Sequence, residues 1–126
     1  MMKTVLTLIL ALSATAFADK TFESADDGTT HDCSADGRVN INYGGATLSL
    51  TGTCTEININ ASGTKITAAD ADAVNINGGK NTVTTATLGA ATINGAGNKV
   101  TYKKAKAGKK AGASILGKGN AVTKVK

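Results

Sequence analysis

The chain has 126 residues, of which 41% are hydrophobic but only 3% aromatic, with no Pro and no Trp. That length is one domain with a modest core, and so few bulky side chains suit a thin stacked sheet better than a thick globule. The net charge of +5 hides a division: all nine acids lie at or before Asp72, whereas ten of the lysines and no acid follow it. Opposite signs in the two halves bear on partners and self-association rather than on fold.

Taken in order, Met1 to Lys3 is a short positive start and Val5 to Leu12 a compact apolar run. Ala16-Phe17-Ala18 then supplies the small-x-small pattern of a signal-peptidase site. The run is too short for a permanent membrane span. Residues 1–18 are therefore expected to be a signal peptide cleaved after Ala18, which places the protein in a bacterial periplasm or outside the cell.

Residues 19–38 read as an N-terminal cap. Cys33 and Cys54 are the only cysteines, and an even count in an exported chain predicts a disulfide. Closing that loop would contribute about 3 kcal/mol on the chain-entropy model. Asp32-Cys33-Ser34-Ala35-Asp36-Gly37 has the opening spacing of a calcium loop, but Tyr43 stands where the closing bidentate acid is needed. The stretch is read as an Asp-Gly turn, with no metal. His31, the only histidine, lacks a second imidazole or a nucleophile partner and is expected to pack in the cap.

From Val39 onward the chain repeats. Ile59, Ile76 and Ile93 are spaced by 17 residues, and Ile115 follows after 22. Ile57, Val74 and Ala91 keep the same step, as do Ile66, Val83 and Val100, with Val122 after 22. Val39 and Ile41 precede Ile57 and Ile59 by 18. A unit of this size holds two or three short strands, one rung of a parallel β-helix. Alternation sends Val74 and Ile76 inward and Asn75 and Asn77 outward. The prediction is an all-β solenoid over 39–126 with about five rungs of ~17 residues, right-handed by the general crossover preference. An antiparallel sandwich, with hairpins at Gly44-Gly45 and Gly78-Gly79, is the alternative.

Polar columns share the phase. Asn42, Asn60, Asn77 and Asn94 form one, suited to amide stacking at a rung corner. Thr51, Thr67, Thr84, Thr101 and Thr123 form another, beside Ser49, Lys65, Thr82, Lys99 and Ala121. Asp70 and Asp72 are too few for the acidic clefts of polysaccharide-cleaving enzymes and read as a solvated turn. Lys103 to Lys110 interrupts the phase with Lys103, Lys104, Lys106, Lys109 and Lys110, expected to project as a flexible basic loop.

The pattern His31-x-Cys33-x-x-Asp36-Gly37-x-Val39-x-Ile41, then Leu48-x-Leu50-x-Gly52-x-Cys54-x-x-Ile57-x-Ile59, then Asn81-x-Val83 and Gly97-Asn98-x-Val100, resembles an exported bacterial family. It is the domain-of-unknown-function family numbered three thousand and sixty. The resemblance runs from Asp32 to Thr101 and implies a small exported repeat domain with no assigned activity, cofactor or catalytic residue. The Lys-rich insertion departs from it.

The functional expectation is a non-enzymatic scaffold or binding module whose five loop lysines face a polyanion, such as lipopolysaccharide or acidic polysaccharide. With few aromatics and no arginine in the basic half, specific nucleic-acid reading is not expected. Two alternatives are self-assembly by acidic ends stacking on basic ends, and ice binding by the Thr face.

Overall fold

The computed structural model describes residues 19–126; the expected signal peptide lies outside the described residues. Its strands are β1 (Asp19–Phe22), β2 (Thr30–Asp32), β3 (Arg38–Ile41), β4 (Thr47–Cys54), β5 (Glu56–Ile59), β6 (Lys65–Gly79), β7 (Thr82–Ala96), β8 (Lys99–Ala105), β9 (Gly112–Leu116) and β10 (Ala121–Lys124). Every pairing among them is parallel. The chain is therefore a β-solenoid of about five rungs, and the antiparallel sandwich is excluded. Gly78 and Gly79 close no hairpin; they end β6 at a rung corner, in register with Gly95 and Ala96.

The columns emerge from alternation. Val39, Ile57, Val74 and Ala91 stack at one level, and Ile41, Ile59, Ile76 and Ile93 at the next, all buried. Leu48, Ile66, Val83 and Val100 fill the other side of the same core. β-branched residues fit a pleated, buried surface. Each rung also supplies backbone partners for the next, so a small cross-section suffices. β1 and β2 continue the stack upward by pairing with β3 and β4. Cys33 is bonded to Cys54, Cα atoms 4.9 Å apart, fastening the cap to the end of the first rung.

The Thr column needs one correction. Ser49, not Thr51, pairs with Thr67, and Thr47, not Ser49, pairs with Lys65. The register breaks after Leu50, where Gly52 adopts φ +70°. The extra residue makes the first step 18 rather than 17, so counting back from Thr67 reaches the wrong residue.

A second polar row runs inside the fold. Asn81 Oδ1 accepts from the N–H of Thr64 (3.0 Å) and from its hydroxyl (2.8 Å). Asn98 Oδ1 likewise accepts from the N–H and Nδ2 of Asn81, and Asn120 Oδ1 from those of Asn98, each at 3.0 Å. Each amide also donates to a carbonyl across the corner, Asn81 to Ala61, Asn98 to Gly78 and Asn120 to Gly95. Asn81 and Asn98 are buried, so these bonds answer groups that water cannot reach. Outside, Asn58 donates to Asn40 and Asn75 to Asn58, while Asn60 donates to Asn42 and Asn77 to Asn60. The outer columns are stacking devices of the rung.

One position breaks the pattern. Gly45, Gly63, Gly97 and Gly119 turn their rungs with φ near +70°, but the equivalent residue in the third rung is Lys80, at φ 57°. A side chain in the left-handed region costs about 1–2 kcal/mol. Lys80→Gly is expected to raise the unfolding free energy by roughly 1 kcal/mol, less than the full strain because glycine also frees the unfolded chain. Urea denaturation reads this directly.

Candidate functional site

The expected basic loop divides once placed on the rungs. Lys103 and Lys104 belong to β8, and Lys104 continues the outward column Thr53, Asp70, Thr87. Only the segment after Ala105 leaves the sheet before β9 begins at Gly112. It lies between well-tied ends. The N–H of Lys106 donates to Leu88 O (3.0 Å), and that of Ala111 donates to the buried Tyr102 hydroxyl (3.0 Å). Lys124 Nζ donates to Lys109 O at 3.1 Å. The insertion is a short strapped bulge.

Lys106 differs from its four neighbours. Its ammonium turns back across a rung to Asp72, with which it hydrogen-bonds, and to Asp70, 3.1 Å away. Gly89 lies in the rung between, in register after Leu88 and carrying no side chain there. Thr53 donates its hydroxyl to Asp70 Oδ2 at 2.9 Å. Asp70 Oδ1 is buried and, although the ammonium is close, forms no well-angled hydrogen bond; the contact there is electrostatic. This corrects the expectation for Asp70 and Asp72, which sit inside β6 as an ion-pair anchor and not in a solvated turn. A polyanion would have to displace two carboxylates to reach Lys106.

Lys103, Lys104, Lys109 and Lys110 are exposed. Among the described residues, Lys106 is the one lysine with a carboxylate within ion-pair distance. The four lysines flank a rigid corner, and no acid occurs after Asp72 to neutralise them. Of the earlier candidates, His31 pairs with Asp36 and packs edge-on against Phe22, ring centroids 5.4 Å apart. Asp32 Oδ1 accepts from the Ser34 N–H at 2.9 Å, closing the Asp-Gly turn. That bond holds the Asp32 carboxyl below its usual range. A hollow of about 520 Å³ near the cap is lined by Asp19, Asp36, Arg38, Thr55 and Glu56. Arg38 there pairs with Asp19 (3.5 Å) and Glu56 (3.4 Å). Among the described residues no three His, Cys, Asp or Glu side chains cluster as metal ligands, and no helix is long and apolar enough to cross a membrane.

The anchor predicts an alkaline response. The hydrogen bond to Asp72 raises the Lys106 pKa above the ordinary lysine value, with partial burial opposing and Asp70 adding to the rise. A folded value above the unfolded one means the contribution is complete below about pH 10 and is lost as pH climbs through the folded value. Tyr43 shifts upward too, through burial first and then the Asp27 carboxylate, and its contribution is lost in the same direction. Stability should therefore fall above about pH 10, and Lys106→Gln should remove part of that fall. An unchanged alkaline limb in the variant would show that the pair contributes nothing.

No curated protein and no solved structure matches the chain. A family model described as protein of unknown function, DUF3060, matches residues 41–87 and again 59–115. The two starts differ by 18 residues, one rung, as expected when a repeat aligns with itself in successive phases. Together the matches cover more than half of the sequence, through the core rungs and the bulge, and the chain belongs to the DUF3060 family.

Proposed function

We propose that this solenoid is an exported, non-enzymatic binding module that holds polyanions, with lipopolysaccharide phosphates or acidic polysaccharide as the class of ligand. The observation that carries the reading is the set of four exposed, carboxylate-free lysines, Lys103, Lys104, Lys109 and Lys110, on a strapped corner of the rigid stack. A held array loses less conformational freedom on binding than a loose tail does. Point-charge ammonium groups without guanidinium forks or aromatic platforms suit charge density and not sequence, so nucleic acid is not a specific partner. A disulfide between cap and first rung suits an oxidising compartment.

The test is retention on immobilised heparin and on lipopolysaccharide across a salt series. Each lysine near an anionic surface is worth about 1 kcal/mol at moderate ionic strength. Reversing the four to Glu should thus weaken binding by at least about two orders of magnitude. Lys106→Gln should change retention far less. Equal retention of the fourfold variant and the parent would refute the reading.

A further inference from the structure

The C-terminal end of the stack is left open. Ile115 is 41% exposed and Leu116 66%, although Ile115 pairs in register with the buried Ile93. The internal amide row also ends there. The N–H of Asn81 is answered by Asn98 and that of Asn98 by Asn120, but among the described residues no amide oxygen follows for Asn120. This end is basic, with Lys118 and Lys124 beside the last rung. The opposite end carries Glu23, Asp26, Asp27 and Asp32, with Lys20 folded over the Phe22 ring.

We infer that a second copy of this chain stacks its acidic cap on the open basic end, in register, so that rungs continue from one molecule into the next. The register is specified by the pairings already present. Carrying the columns through the cap places Phe22 at the level of Ile115, Glu23 at that of Leu116, and Asp27 in the row of Thr64, Asn81, Asn98 and Asn120. The apolar pair meets its like, and a carboxylate takes the acceptor position that the amide row lacks. Opposite charge at the two ends steers the encounter and disfavours tail-to-tail pairing, which would bring lysines together. The contact is heterologous, so it extends into rods and does not stop at dimers. It goes beyond the polyanion reading and uses the end of the stack, not its flank.

Sedimentation velocity over a concentration series at low and at 1 M salt tests this; in the latter the Debye length is about 3 Å. The expected result is mass that rises with concentration at low salt and returns toward monomer at high salt. Leu116→Glu would face Glu23 of the neighbour, and Glu23→Lys would face the basic end; each alone should weaken association about tenfold or more. Mixed together they should associate again, because the introduced Glu and Lys then meet while the other junction is the natural one. Both sites are exposed, and circular dichroism confirms that each variant folds. A parent that stays monomeric at every concentration, a variant that associates as the parent does, or a mixture without recovery would each overturn the inference.

Discussion

Asn81→Ala is expected to lower the unfolding free energy by about 3–5 kcal/mol, because each buried group left without its partner costs about 1–3 kcal/mol. The side chain satisfies the N–H and hydroxyl of Thr64, the carbonyl of Ala61 and the oxygen of Asn98, all inside the stack. Alanine leaves those groups without water or protein to answer them. Asn94→Ala, on the exposed outer column, is the control and should cost less than about 1 kcal/mol. Domains of this size have roughly 5–15 kcal/mol in total, so the first variant approaches the unfolding threshold and the second does not. Urea midpoints at a common slope measure both. A loss below about 1 kcal/mol at Asn81 would show that the inner row is not what holds the corners.

Gly95→Ala should be about as damaging, for a reason of space. Gly95 sits at φ 150° with the Gly78 backbone carbonyl above it, and a methyl there would collide with that carbonyl carbon and oxygen. Gly117 repeats the arrangement one rung below, its missing methyl aimed at the Gly95 carbonyl. Backbone cannot step aside as a flexible side chain can, so the rungs must separate locally. Strain of about 1–3 kcal/mol from the conformation adds to about 1–3 kcal/mol of overpacking. Gly45→Ala is the comparison: its φ is also positive, but nothing lies where its methyl would go. If both variants lost the same stability, conformation alone and not rung spacing would set the cost.

Much of this fold is legible in the sequence because a solenoid writes its core as columns. Ile57, Val74 and Ala91 are predicted at one level by spacing, and the strands stack them there. The same logic fails at Thr51, where a bulge at Gly52 adds a residue that spacing from the later rungs cannot detect. The buried amide row had a signal that was only partly read. Thr64, Asn81, Asn98 and Asn120 each stand two residues before an inward Ile or Val, but the sequence does not say whether such an amide points in or out. The pairing of Lys106 with Asp70 and Asp72 had no signal, since its partners lie 36 and 34 residues away and oppositely charged side chains carry no period. That pairing is what changes the candidate site, by reducing five lysines to four.

The polyanion reading is tested most directly by lysine acetylation followed by mass spectrometry, with and without a defined heparin fragment. Slower acetylation is predicted at Lys103, Lys104, Lys109 and Lys110 when the fragment is present, with no change at Lys20 or Lys65 in the acidic half. Lys106, held by its two carboxylates, should react slowly in both conditions. Protection spread evenly over all lysines, or none at the four, would contradict the account.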